Sequence, residues 1–231
     1  MSTIYTVKDL KKTYRVGDVA TEALRGIDLK IEQGEFTAIA GPSGSGKSTL
    51  LHLMGALDTP SSGEVWLSGR RIDRLAKPPS AQLRLWNIGF VFQAYNLIPV
   101  MSALENAAFV LELQGVGRRE RESKALQALA ALDMAEFADR RPNQLSGGQQ
   151  QRVAVARALA ADPQIILADE PTANLDSETG QSLIHYMQRL NTEQGVTFVF
   201  STHDPRLLNQ VTRIIRIEDG RIVQEEPVQA A

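Results

Sequence analysis

The chain of 231 residues contains no cysteine, which excludes disulfide frameworks, thiolate metal sites and cysteine nucleophiles and suits a reducing compartment. It lacks a long apolar run: residues 165–168 and 196–200 fall far short of a membrane span. Its first residues, Met1-Ser2-Thr3-Ile4-Tyr5-Thr6-Val7-Lys8-Asp9, lack the basic-then-apolar pattern of a secretory signal. It also lacks an excess of either charge. Twenty-five basic against 27 acidic side chains leave a net −2, so bulk electrostatics give no case for a nucleic-acid partner. The expectation is a chain soluble by itself that reaches a membrane only through another protein. What is present is a globular composition, 43% hydrophobic and 23% charged, long enough for one sizeable α/β domain with a smaller subdomain inserted.

The first forty residues read as β-structure. Ile27-Asp28-Leu29-Lys30-Ile31-Glu32 alternates apolar and polar as a half-buried strand does, and Gln33-Gly34 follows as a turn. Phe36-Thr37-Ala38-Ile39-Ala40 is a short apolar run entering a glycine-rich stretch, after which residues 47–57 read as a helix closed by Asp58-Thr59-Pro60. Residues 65–67 and 88–92 predict further strands, with Pro78-Pro79 marking a loop between them. From 102 to 160 the pattern is helical. Ser102-Ala103-Leu104-Glu105 has capping-box spacing, and 118–134 predicts a helix with Leu126, Leu129 and Leu132 on its apolar face. Strands return at 165–168, 197–200 and 213–217, and Asp219-Gly220 predicts a hairpin to Arg221-Ile222-Val223. The tail after Pro227 reads as frayed. The expected organisation is a single domain over 1–231, with an α/β and β core from 1–93 and 161–231 and a helical subdomain over 94–160.

The glycine-rich stretch, Gly41-Pro42-Ser43-Gly44-Ser45-Gly46-Lys47-Ser48, fits the phosphate-binding loop, and its flanking strand and helix supply the context that pattern requires. Its backbone N–H groups and the helix dipole face a phosphate, Lys47 reaches the β and γ phosphates, and the Ser48 hydroxyl suits Mg²⁺. The apolar strand Ile165-Ile166-Leu167-Ala168 ends in Asp169-Glu170. Asp169 is placed to hold the hydration shell of Mg²⁺, and Glu170 to polarise a water in line with the γ-phosphate. His203, one of three histidines, leaves a strand expected beside that of Asp169, at the carboxyl edge where open α/β sheets bind ligands. Leu145-Ser146-Gly147-Gly148-Gln149 opens a helix with a second anion-seeking surface. One nucleotide needs only one such surface, so the pair points to a site shared between two copies.

With these motifs in this order across nearly its whole length, the chain resembles the ATP-binding subunits of the ATP-binding cassette (ABC) transporter family. The resemblance implies an α/β P-loop NTPase core with an N-terminal antiparallel β subdomain and an inserted α-helical subdomain. It implies the reaction ATP + H₂O to ADP + phosphate, with ATP and Mg²⁺ as cofactors. Gly41, Pro42, Ser43, Gly44, Ser45, Gly46, Lys47, Ser48 and Thr49 would cradle the phosphates, and Tyr14 sits where the family stacks an aromatic on adenine. Gln93, after Ile88-Gly89-Phe90-Val91-Phe92, matches the glutamine that touches Mg²⁺ beside Ser48 and Asp169 and relays to a membrane partner. Ala173-Asn174-Leu175-Asp176 matches the family's D-loop, and His203 its switch histidine. Catalysis would fall to Glu170, His203, Lys47 and Gln93. The family works as a head-to-tail homodimer, so ATP on one copy would be closed over by Ser146, Gly147, Gly148 and Gln149 of the other, with Asp176 at the same junction.

Residues 53–65, 89–93 and 168–176 resemble the macrolide-exporter and lipoprotein-release branch, whose ATPases pair with permeases of few spans and large periplasmic domains. That branch commonly has Gly at the position of Ala173 and Glu at that of Gln149. The implied place is the cytoplasmic, inner face of the cell membrane, held there by the permease, and the implied work is export or extraction. Two other readings share the motifs. Soluble ABC machines of DNA repair carry long coiled coils between the two phosphate motifs, where this chain has no sustained heptads, and translation factors carry two cassettes, where this chain has one. An ATP-driven regulator of a membrane protein, without transport, would keep every residue named here.

Overall fold

The computed structural model describes residues 2–228. Two sheets form. In the antiparallel one, β1 (Thr3–Val16) lies between β2 (Val19–Glu32) and β4 (Ser62–Leu67), and β4 carries the two-residue β5 (Arg70–Arg71). The second sheet is built on β3 (Phe36–Ala40), β6 (Ile88–Val91), β7 (Ile165–Asp169), β8 (Phe198–Thr202) and β9 (Arg213–Glu218), all parallel where paired. Its edge strand β10 (Arg221–Pro227) folds back antiparallel through Asp219 and Gly220, both at positive φ, as the Asp-Gly pair predicts. The order is β10-β9-β3-β8-β7-β6, which sets the carboxyl ends of β3, β8 and β7 side by side.

Burial on both faces explains why these strands are continuous apolar runs rather than alternating ones. Every residue of β3 and β8 is buried. Side-chain alternation then sends neighbours into two different cores. Ile166, Ala168, Phe198 and Phe200 join the core under the helices, while Ile165, Leu167 and Val199 join the one under the antiparallel sheet. In the first, Phe36 meets Phe198 and Phe200 edge-on at 5.5 and 4.7 Å between ring centroids. Removing the Phe200 ring leaves a cavity in the strand that carries the site, and Phe200→Ala should cost about 3–5 kcal/mol, read as a lowered denaturant midpoint.

The helices are α1 (Lys47–Met54), α2 (Lys77–Asn87), α3 (Ala103–Leu113), α4 (Arg118–Ala130), α5 (Gly147–Ala160), α6 (Ser177–Gln194) and the short α7 (Pro205–Leu208). Helices α3, α4 and α5, the longest elements between β6 and β7, pack on one another. Ser102 and Glu105 form the reciprocal capping box read from their spacing. Buried Asn106 knots the approach to α3, accepting from the Ile98 N–H and donating to the carbonyls of Ile98, Met101 and Ser102.

Two expectations are corrected. Pro78-Pro79 lies in the first turn of α2 rather than in a loop, because N–H groups there have no intrahelical acceptor and proline forfeits no helix bond. Helix α4 stops at Ala130, short of Met134, and buries Ala125, Ala128 and Leu129. Leu126 faces solvent, while Leu132 reaches the core from the turn beyond the helix. The tail expected to fray includes 229–231, which lie outside the described residues.

Candidate nucleotide site

Chain geometry concentrates the site at the carboxyl ends of β3, β7 and β8. The loop leaves β3 at Ala40 and enters α1 through Gly46, whose φ of 107° only glycine adopts freely and where a Cβ would lie 2.6 Å from the Ala23 carbonyl oxygen. Lys47 is buried, and its Nζ donates to the carbonyls of Gly41 at 2.8 Å and Pro42 at 3.0 Å. Pro42, Ser43 and Gly44 are exposed, whereas Ser45 is buried with an Oγ that has no partner.

Ser48 Oγ donates to Asp169 Oδ1 at 2.8 Å, joining the start of α1 to the end of β7. The Ser201 hydroxyl on β8 donates to the same carboxylate oxygen and accepts from the Glu170 N–H at 3.2 Å. Glu170 has a φ of 47°, a left-handed conformation that costs a non-glycine residue about 1–3 kcal/mol and persists because neighbours over-determine it. Its N–H also donates to the Ser201 carbonyl at 3.0 Å. Glu170 Oε1 lies 2.8 Å from His203 Nδ1, and Oε2 is buried without a partner. A carboxylate held through one oxygen and idle at the other is suited to accept a proton. His52, on α1, places Nε2 3.8 Å from the far oxygen of Asp169.

The remaining expected residues fall into three groups. Tyr14, near the end of β1, donates its hydroxyl to Asp58 at 3.0 Å, so the aromatic is tied to the turn beyond α1, the helix that carries Thr49. Gln93 follows β6, and among the described residues its amide forms no hydrogen bond, while its carbonyl accepts from Asn174 at 3.0 Å. It is not bonded to Ser48 or Asp169. Ser146 caps α5, accepting from the Gln149 N–H at 3.3 Å while Gln149 Oε1 accepts from the Ser146 N–H at 2.9 Å. Gly148 abuts α6 so closely that a Cβ would lie 2.0 Å from Thr179. Asp176 caps α6, and the bond from the Thr179 N–H is the main reason its carboxyl is held below the usual range. No described hydrogen bond joins 145–149 to 41–48.

Several residues at this junction escape sequence reasoning. Gln151 is buried and donates to the carbonyls of Pro171 at 2.9 Å and Phe92 at 3.4 Å. Arg157 donates to Asn96 at 2.5 Å and Tyr95 at 2.9 Å, two consecutive residues at positive φ. Asp204 accepts from Thr172 at 2.6 Å and pairs with Arg206, which also reaches the Asp176 carbonyl. Sequence offers one signal for Gln151 and Arg157, their place on the helix that Ser146 opens.

A lysine-bearing glycine loop between strand and helix, facing paired carboxylates at a parallel sheet edge, defines a P-loop nucleoside triphosphatase. The ABC transporter family model matches residues 24–173. The chain is 47% identical over 224 residues to the ABC transporter ATP-binding protein MJ0796 of Methanocaldococcus jannaschii, covering 95% of each. A dimeric structure of MJ0796 in a post-hydrolysis state, bound to ADP and Pi, matches with a TM-score of 0.90 at 44% identity, covering 98% of this chain and 99% of that one. The lipoprotein-releasing system ATP-binding protein LolD of Geobacter metallireducens is 43% identical over 97% of this chain and 100% of its own. The macrolide export ATP-binding/permease protein MacB of Syntrophobacter fumaroxidans is 46% identical over 95% of this chain, which spans only 31% of MacB. The chain belongs to the ABC transporter family: it is an ATP-hydrolysing, ATP-binding subunit of the branch that holds MacB and LolD. Among the described residues, no helix is long and apolar enough to cross a membrane.

Proposed function

We propose that two copies of this chain, head to tail at the inner face of a bacterial membrane, hydrolyse ATP to drive export or extraction of a substrate through a separate permease. The observation that carries the shared site is the division of labour within one chain. The carboxylates and the lysine loop meet at one sheet edge, and the capped Ser146 end of α5 is bonded to neither. The dimeric state of the MJ0796 structure bound to ADP and Pi supports two copies working together.

In this reading the loop from Gly41 to Thr49 wraps the phosphates, Tyr14 stacks on the base, and Lys47 leaves its carbonyl partners for the β and γ oxygens. Ser146, Gly147, Gly148 and Gln149 of the second copy close over the γ-phosphate beside Asp176. Ser48 and Asp169 are hard oxygen donors 2.8 Å apart next to that loop, a set that fits Mg²⁺. When bound, the ion neutralises charge developing on the phosphates. Glu170 Oε2 accepts the proton of the attacking water, and His203, oriented by Glu170 Oε1, steadies the γ-phosphate. Gln93, exposed at the end of β6, reports on the site to the permease.

A groove of about 340 Å³ between α2, β6 and α3, lined by Leu57, Leu85, Phe90, Phe92, Phe109 and Leu113, suits an apolar segment of that permease. Leu57 and Leu113 remain 42% and 58% exposed at its rim. Coexpression with a permease bearing a large periplasmic domain should give a complex whose ATPase responds to cargo and moves it across a vesicle membrane. A stable complex that hydrolyses ATP yet moves nothing would replace transport with regulation. Absence of any membrane complex would point to a soluble machine.

A further inference from the structure

The Tyr14 ring is held by two residues that none of the nucleotide motifs includes. Lys12 and Tyr14 are two apart on β1, either side of an irregularity in its pairing with β2 at Lys12 and Thr13, and their side chains meet there. Lys12 Nζ lies 4.8 Å from the Tyr14 ring centroid and donates to Asp58 Oδ1 at 2.8 Å and to the Thr59 carbonyl at 2.7 Å. The other Asp58 oxygen takes the Tyr14 hydroxyl at 3.0 Å. Asp58 Oδ1 also accepts from the Thr59 N–H at 2.7 Å, which fixes the carboxylate in its turn. Burial alone would raise the Asp58 carboxyl, but the bonds from Lys12, Thr59 and Tyr14 outweigh it and hold it below the usual range.

Burial distinguishes this arrangement from an ordinary surface ion pair. The Lys12 side chain is only 12% exposed, whereas the hairpin tip beyond Tyr14 stands in solvent, with Val16 at 80% and Val19 at 68% exposure. Past Tyr14 the strand pairs with β2 alone, and the contacts to Lys12 and Asp58 tie the ring to the turn after α1. Its anchor point is the turn that follows α1, the helix whose other end is the phosphate loop. The ring is thereby tied to the turn after the helix that carries the phosphate loop, with its hydroxyl occupied and an ammonium near its π-system.

We propose that Lys12 and Asp58 are positioning residues for the nucleotide base. They lock the Tyr14 ring as a stacking platform in register with the phosphate loop, and the cation beside the ring adds to the hold. The proposal rests on Tyr14 being the base platform. Binding energy from the base then depends on the clasp, whereas binding of the phosphate chain does not.

Calorimetric titration of the full chain with ATP and, separately, with inorganic tripolyphosphate separates the two. Lys12→Met and Asp58→Asn should each weaken ATP by about fivefold to tenfold, the size of a lost cation–π contact and its ordering effect, with tripolyphosphate within about twofold of the parent. Tyr14→Ala should show the same selectivity and at least as large a loss, and Lys12→Arg should recover part of it. Equal losses for both ligands would overturn the proposal, since the clasp would then be supporting the phosphate loop. So would unchanged ATP affinity in Lys12→Met and Asp58→Asn beside a loss in Tyr14→Ala. Unchanged ATP affinity in Tyr14→Ala would remove the base platform itself, and the clasp's role with it.

Discussion

Glu170→Gln should lower ATP turnover by about 10²–10⁴-fold while leaving ATP affinity near that of the parent and converting an ATP-dependent monomer–dimer exchange into a long-lived dimer. The substitution keeps the size of the side chain and its hydrogen bond to His203, because an amide oxygen still accepts. It removes the one feature that the site supplies for proton transfer, the unpartnered, buried Oε2. The backbone consequence is small, since the left-handed φ is set by the two bonds from the Glu170 N–H to Ser201. Phosphate release under single turnover, read beside size exclusion with and without ATP, checks both halves. Parent-like turnover would remove Glu170 from the role of base.

Ser146→Arg should reduce turnover on the order of a hundredfold or more while ATP binding by the isolated subunit stays close to parental. The bulk and charge fall at the N-terminus of α5, the end that the proposed arrangement presents to the other copy's γ-phosphate. Within its own chain Ser146 is bonded to Gln149, with no described bond to the lysine loop, so the nucleotide affinity of one subunit has no local reason to change. The loss should appear as failed ATP-dependent dimerisation in light scattering. A variant that dimerises with ATP as the parent does, and turns over normally, would separate this segment from catalysis. Loss of the Ser146 cap costs about 1 kcal/mol of helix stability, so thermal melting of the variant accompanies the assay.

Much of the molecule is readable in its sequence because the informative features are local. The strands β3, β7 and β8 read as uninterrupted apolar runs, and each ends where chemistry begins, at Gly41, at Asp169-Glu170 and at His203. The capping box at Ser102 is legible because both partners lie within one turn, whereas the one that Ser146 forms with Gln149 is seen only in the structure. Reading failed where position outweighed residue type. Proline breaks helices in general and sits in the first turn of α2 here, a helix with Leu83 as its one buried residue and so little apolar period to detect. Leu126 has the spacing of a core residue and is exposed, because Ala125 and Leu129 already fill that side of α4. At the site, what could not be read were contacts between distant segments. Lys12 reaches Asp58, Gln151 reaches Phe92 and Pro171, and Ser201 bridges Asp169 and Glu170, none of which any single stretch of sequence announces.

The Lys47 side chain, withdrawn into its own loop, alters how an incoming nucleotide is received. Its side chain is buried, and its ammonium is coordinated by the Gly41 and Pro42 carbonyls. Arrival of a triphosphate is therefore a ligand exchange, oxygen for oxygen around a resident cation, rather than the drying of an exposed one. The dehydration penalty that a solvent-facing lysine would incur at the moment of binding has been met when the chain folds. Affinity gained from the exchange comes from replacing dipoles, the Gly41 and Pro42 carbonyls, with full negative charge.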